Sequence, residues 1–228
     1  MYQEKKILLP VLLIAIVLLK NRFMGHKIPH DACNELIAAI PVNQVSQQSQ
    51  QIIVVKSMHT FQGSISLCEF QQNQWKQVTP TFTGVIGKAG LVAAGEKREG
   101  DLKTPAGFYS LGGAFGTKPL AVKMDYKFIT VDDKFIDDPQ HKEYNTWING
   151  PTTAKSFEPM LIKPYSMGLV VNYNMNPIIR GAGSAIFIHL WHSSQIGTSG
   201  CVAMSEKHLT QIIHWLNKQK HPFIYLTK

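Results

Sequence analysis

Ser184-Ala-Ile-Phe-Ile-His189 and Thr198-Ser-Gly-Cys201-Val-Ala-Met204 are the two pieces of sequence on which the reading of this chain turns. The apolar run from Ala185 to Ile188 predicts a buried strand that delivers His189 at its end. A polar, glycine-containing loop, Ser193 to Gly200, then returns to Cys201. After Met204 the apolar spacing changes. Leu209, Ile212, Ile213 and Leu216 fall at i, i+3, i+4 and i+7, which predicts a helix over Ser205 to Asn217 with Ser205 as its N-cap. A histidine and a cysteine therefore stand at the two ends of one loop, held between a strand and a helix. A thiol needs a neighbouring base to become a useful nucleophile near neutral pH, and histidine is the usual one. The expectation is that Cys201 attacks and His189 is its general base.

Other readings use the same residues. A lone cysteine in an apolar setting is commonly an inert core residue, and a histidine at a strand end is commonly a hydrogen-bonded structural group. His189, His192 and Cys201 also offer three zinc ligands with an open fourth position. No Cys-x-x-Cys or His-Glu-x-x-His spacing supports zinc, so no metal and no other cofactor is expected. His192 is the second candidate for the base, ranked below His189 because His189 ends the strand.

Working outward, the 228 residues can bury one sizeable core. With 44% hydrophobic and 17% charged residues and a mean hydropathy of −0.06, the chain is neither disordered nor polytopic. The formal net charge of +8 favours anionic surroundings, or simply gives a basic, well-solvated surface. No run of five Lys/Arg and no arginine-rich helix is present, so nucleic acid is not an expected partner.

Near the N-terminus, Lys5-Lys6 precede an apolar stretch from Ile7 to Leu19, broken only by Pro10 and followed by Lys20-Asn21-Arg22. That is the layout of a secretory signal, and it is shorter than the roughly 20 residues of a spanning helix. No small-x-small cleavage site follows directly, and His30-Asp31-Ala32 before Cys33 is not a lipoprotein box. Residues 1–24 are thus expected to be a signal peptide or an uncleaved signal anchor, residues 25–50 a connector, and residues 51–228 the functional domain. The protein is expected to be exported to the periplasm or cell envelope, with the N-terminal segment as a membrane contact if it is retained. In an oxidising compartment three cysteines suggest one disulfide and one free thiol. Cys33 and Cys68 flank the first strand candidates and pair naturally, leaving Cys201 free, although three connectivities exist.

Taken in order, Asp31 to Ile40 reads as a helical turn or two, and the Gln/Ser-rich stretch Asn43 to Gln51 ends it. Strand patterning follows at Gln51–Val55, Ser64–Phe70, Trp75–Val78 and Phe82–Ile86, with Gln71-Gln-Asn-Gln74 as a hairpin turn. Glycines at 87, 90, 95, 100 and 107 make the next stretch a turn-rich excursion that matches no phosphate-binding spacing. Its charges beside glycine and proline suit a rigid loop shaped for a polar partner, but by itself it reads as an ordinary surface hairpin. From Tyr109 to Lys155 short strands and long loops are expected, with Asp132-Asp133 and Asp137-Asp138 in solvated turns rather than a calcium loop. Gly168–Tyr173 and Pro222–Leu226 read as strands, and Asn174 to Gly183 as a loop carrying Arg180. No repeat or second core is visible, so the architecture is a single α+β domain, mostly β.

From about Gln51 onward these residues resemble the L,D-transpeptidase catalytic domain, the YkuD family. The resemblance rests on Gly87-Lys-Ala-Gly90, Lys97-Arg-Glu-Gly-Asp101 with Thr104-Pro-Ala-Gly107, Tyr144-Asn145, Gly183-Ser-Ala-Ile-Phe-Ile-His189 and Ser199-Gly-Cys201, in that order. It implies a β-sandwich of mixed sheets with a C-terminal helix after the catalytic cysteine. The family's common core reads Ser-His-Gly-Cys with an arginine shortly after. Here Ser199 replaces that histidine and Ala203 stands where the arginine is expected, which looks like a Thr-x-Gly-Cys branch. Lys97, Arg98 or Arg180 are candidates to take over carboxylate recognition, and Lys97, Arg98 and Asp101 to line the approach.

What the resemblance implies chemically is a peptidoglycan L,D-transpeptidase acting in cell-wall biogenesis and cell shape. The Cys201 thiolate would attack the stem tetrapeptide at the L-centre of diaminopimelate, release D-alanine, and pass the acyl group to an amine. Backbone N–H groups of Gly200 and Cys201 would hold the oxyanion, and Ser199 or a backbone carbonyl would orient His189. The alternatives are an L,D-carboxypeptidase or endopeptidase on the same scaffold, or a non-catalytic wall-binding module in which Cys201 is merely buried. A sortase-like enzyme needs an arginine after the cysteine, and none follows Cys201.

Overall fold

A computed structural model describes residues 32–38, 40 and 49–228. The expected signal segment, residues 1–24, and much of the 25–50 connector lie outside the described residues. Asp31–Lys228 forms one compact unit. In chain order it carries α1 (Ala32–Ala38), β1 (Gln51–His59), β2 (Gln62–Gln71), β3 (Gln74–Gln77), β4 (Phe82–Val85), β5 (Leu91–Val92) and β6 (Thr104–Pro105). There follow β7 (Gly107–Gly116), β8 (Tyr126–Phe128), β9 (Asp133–Ile136), β10 (Trp147–Asn149), β11 (Phe157–Pro159) and β12 (Met167–Val171). The chain closes with β13 (Phe187–Leu190), β14 (Val202–Met204), α2 (Glu206–Trp215) and β15 (Phe223–Thr227). The domain is α+β and mostly β, with the C-terminal helix directly after the cysteine's strand, as the sequence implied.

The main sheet runs β1-β15-β7-β12-β13-β14-β4-β2-β3, and β1 also pairs with β2, so the ladder closes on itself. Closure satisfies the backbone groups that an open sheet leaves at its edges. Pairing is mixed: β1–β15 and β13–β14 are parallel, and the rest of the ring is antiparallel. Ile53, Val55, Ile65 and Leu67 fill one side of the core with Ile188, Val202, Ile224 and Leu226. Helix α2 lays Leu209, Ile212 and Ile213 on the same core. Ser205 caps it, its hydroxyl accepting the His208 N–H. Each fully buried aliphatic side chain stabilises by about 1.5–3 kcal/mol, so these three fasten the helix against β12 and β13. Cys33 of α1 and Cys68 of β2 form a disulfide over a separate cluster with Ile37, Ile52 and Val54.

Two expectations are corrected. The region after Tyr109 contains a ten-residue strand, β7, where short strands were expected. Its glycines read as breakers, but neighbouring atoms occupy the space a Cβ would need: the side-chain Asn172 Oδ1 lies 2.8 Å from the Cβ position at Gly112, and the backbone Ser166 O lies 2.8 Å from that at Gly116. The paired aspartates are also not all solvated. Asp133 is 1% exposed and accepts from the Thr130 N–H and hydroxyl and from Trp147 Nε1. Asp138 is buried and accepts the Gln140 and Lys155 amides. These carboxylates organise loops by taking up backbone donors that would otherwise be orphaned. Among the described residues no helix is long and apolar enough to cross a membrane.

Candidate active site

Strands β13 and β14 run parallel, with Ile188 opposite Val202 and His189 opposite Ala203. Cys201 immediately precedes β14, so it stands beside the strand that carries His189. Both line a cavity of about 470 Å³, whose wall also includes Lys97, Glu99, Asp137, Glu158, Tyr165 and His192.

His189 is 9% exposed, and its ring packs edge-on against Tyr165 with centroids 5.1 Å apart. Its Nδ1 lies 2.9 Å from the Leu190 carbonyl. A carbonyl only accepts, so the proton is assigned to Nδ1 and Nε2 is left as the basic nitrogen. Burial lowers the imidazole pKa to about 4, and His192 nearby acts in the same direction, while the Leu190 hydrogen bond opposes it. The imidazole is neutral at physiological pH and able to accept a proton.

Cys201 is 8% exposed and free of any disulfide. Its thiol donates to Ala185 O at 3.2 Å and accepts the Phe187 N–H at 3.3 Å. Burial pushes the thiol pKa up to about 12; the Phe187 amide and Lys97 counteract this and Glu158 adds to it. No hydrogen bond joins Cys201 to His189 among the described residues. The resting pair is a neutral thiol and a neutral imidazole, and the thiol must leave Ala185 O to reach the base.

The cysteine's loop is fastened by hydroxyls. Thr198 Oγ1 donates to Cys201 O at 2.6 Å and accepts the Gly200 N–H at 3.1 Å. Thr104 Oγ1 donates to Gly200 O at 2.7 Å and accepts the Gly87 N–H at 2.8 Å. The glycine-rich excursion thus packs on the Cys201 loop and is no surface hairpin. Gly87 lies so close to the backbone before Thr104 that a Cβ there would stand 2.8 Å from Thr104 N. Gly200, at φ +151°, has Lys103 O 3.1 Å from the position of a Cβ.

The other residues singled out in the sequence fall in three places. Lys97, 3% exposed, lies in the cavity wall with its Nζ held by Asp101 Oδ1 at 2.5 Å and Arg98 O at 2.9 Å. Gly183 lets its stem pass, since a Cβ there would stand 2.8 Å from Lys97 Cγ. Asp101 sits behind it as a loop organiser. Burial raises its pKa, but hydrogen bonds from the Arg98 amide, Lys97 and the Lys103 amide outweigh this and hold it below the usual range. Arg98 and Arg180 are outside this cavity; they line a separate one with Tyr109 and Tyr173. Ser199 and Gly200 line the cavity beside Cys201. His189, His192 and Cys201 share it too, yet among the described residues no group of three such side chains is arranged to hold a metal.

Sequence reasoning missed several contributors. Glu99 accepts from Tyr144 Oη at 2.5 Å and Ser184 Oγ at 2.7 Å. Glu158 accepts from Tyr165 Oη at 3.2 Å; burial, Asp137 and Glu99 all raise its pKa. Asn145 takes the Ala185 N–H on its Oδ1 at 3.1 Å, tethering the residue whose carbonyl accepts from the thiol. Ala185 has φ +52° and Asn145 φ +58°, conformations that sequence patterning does not announce. The pair Tyr144-Asn145 stood out in the sequence, but nothing local linked it to Cys201.

A solved structure, the helical cell shape determining protein Pgp2 from Campylobacter jejuni, is similar, with 16% identity and a TM-score of 0.43. The match covers 78% of this chain and 47% of that one, so this chain spans about half the length of that protein. No curated protein matches. The sequence profile of the L,D-transpeptidase catalytic domain, YkuD, matches residues 50–223, a span that holds the cavity and every strand of the ring except β15, which begins at its last residue. The chain belongs to the L,D-transpeptidase catalytic domain family, YkuD.

Proposed function

We propose that this protein is a cysteine-dependent peptidoglycan acyltransferase of the cell envelope. It opens the stem tetrapeptide at diaminopimelate, releases D-alanine and hands the acyl group to an amine. The observation that carries this reading is the placement of Cys201, at the entrance to β14, and His189, on the parallel neighbour β13, in the wall of one cavity.

Substrate entering the cavity competes for the thiol's surroundings, and the thiol swings from Ala185 O toward His189 Nε2. The imidazole takes the proton as sulfur attacks the carbonyl, and the Leu190 carbonyl stabilises the imidazolium that forms. The Gly200 N–H expected for the oxyanion is already held by Thr198, whereas the Cys201 N–H has no acceptor among the described residues. The Cys201 amide is therefore the better donor to the tetrahedral intermediate. Protonation of the leaving amine by His189 releases D-alanine and leaves a thioester. An acceptor amine, losing its proton to His189, completes the transfer. Ala203 in place of the family's arginine leaves Lys97, with Lys88, as the lysines in the cavity wall on the Thr-x-Gly-Cys pattern.

The buried resting thiol is a feature that a non-catalytic wall-binding module would share. Purified protein and Cys201→Ala, each incubated with tetrapeptide muropeptides and read by mass spectrometry, separate the two. Loss of D-alanine in wild type alone supports the acyl-enzyme. A new cross-link assigns transfer, and a free tripeptide assigns hydrolysis. Intact tetrapeptide bound equally by both proteins supports the module.

A further inference from the structure

Thr104 lies 97 residues upstream of Cys201 and is fully buried, with its hydroxyl between two main-chain segments. It accepts the Gly87 N–H at 2.8 Å, so its single proton is free to go to a carbonyl. The shorter contact is Gly200 O at 2.7 Å, against 3.5 Å to Cys201 O. A trans peptide is planar, with its C=O and N–H pointing in opposite directions. Fixing Gly200 O therefore fixes the direction of the Cys201 N–H, the amide left without an acceptor among the described residues. Thr198 consumes the neighbouring Gly200 N–H. We infer that Thr104 is a positioning residue that aims the Cys201 amide into the cavity as the oxyanion donor, acting through the Gly200–Cys201 peptide plane. The inference rests on Cys201 being a nucleophile, but not on which acyl group it takes.

Two small electrophiles isolate the effect. In p-nitrophenyl acetate the thiolate attacks the carbonyl, an oxyanion forms, p-nitrophenolate leaves with the bonding pair, and the thiol proton passes to His189. In iodoacetamide the same sulfur displaces iodide at carbon, and no oxyanion forms. The full chain is assayed with both at pH 9.5, with the Cys201→Ser background subtracted. Thr104→Val is expected to slow the Cys201-dependent p-nitrophenolate burst by about 10- to 100-fold, below the full loss of a donor, with alkylation within about twofold of wild type. Thr104→Ser, which keeps the hydroxyl, is expected to restore the burst to within about threefold. Thr104→Ala carries the same expectation as Thr104→Val should the valine variant fail to fold. A burst unchanged in both variants overturns the inference. So does a parallel fall of burst and alkylation, which would mean that Thr104 supports the thiol or the loop as a whole. A wild type with no Cys201-dependent burst overturns it too, while a normal burst with no action on muropeptides sinks only the peptidoglycan reading.

Discussion

Cys201 is expected to react slowly with alkylating reagents, and the rate should climb with pH without levelling off near neutrality. The structure supplies the magnitude. Burial holds the thiol pKa up at about 12 and the His189 pKa down at about 4, so no thiolate–imidazolium pair forms at rest. At pH 7 a thiol of that pKa is thiolate in about one molecule in 10⁵, against about 3% for an unperturbed cysteine of pKa about 8.5. Iodoacetamide should therefore label Cys201 about three orders of magnitude more slowly than an exposed cysteine, with the logarithm of the rate rising by one per pH unit up to about pH 11. His189→Ala should leave this alkylation nearly unchanged, since the base is not paired with the thiol. The same variant should lower acyl transfer by about 10²- to 10⁴-fold, the usual contribution of a general base. With both groups neutral between about pH 4 and 12, kcat should be flat across the neutral range and fall only as His189 protonates toward pH 4. An inflection in the alkylation profile between pH 5 and 8.5, abolished in His189→Ala, would refute the reasoning and establish a preformed ion pair.

Two further outcomes follow from packing. Replacing both Cys33 and Cys68 by serine opens a crosslink of sequence separation 35, which loop-closure entropy values at about 4 kcal/mol; urea unfolding should show that loss with kcat unchanged, and a loss under about 1 kcal/mol would argue against the entropic account. Gly168 stands opposite both Phe115 and His189, and a Cβ there would run into the Phe115 ring and lie 2.8 Å from Ile188 O. Gly168→Ala should cost about 1–3 kcal/mol of overpacking strain, lowering Tm by about 3–10 °C. It should also reduce kcat, because Phe115 packs on Tyr165, which packs on His189; an unchanged Tm would contradict the packing.

What the sequence determined by itself is local. The β-branched run Gln51-Ile-Ile-Val-Val55, the apolar positions of Ser64–Phe70 and the period of 3.6 after Ser205 are read directly from neighbours along the chain. The turn at Gln72-Asn73 is realised with both residues at positive φ, as a two-residue hairpin of twisted strands requires. His189 and Cys201 were legible because one short strand and its return loop bring them together with little help from the remainder of the fold.

Tertiary structure decided the rest, because those features depend on partners distant in sequence. Gly112 and Gly116 signal turns in isolation, yet lie within a long strand because Asn172 and the Ser166 carbonyl stand where their side chains would go. Arg98 and Lys97 are adjacent in sequence, yet Lys97 lines the cavity of Cys201 and His189 and Arg98 lines another. Ionisation also lay beyond the sequence: a cysteine and a histidine in a loop suggest an activated pair, and only burial reveals that both rest uncharged. Thr104 reaches Gly200 across 96 residues through a single hydroxyl proton. A hydrogen bond of that kind depends on two backbones meeting in space, so no pattern along the chain could have announced it.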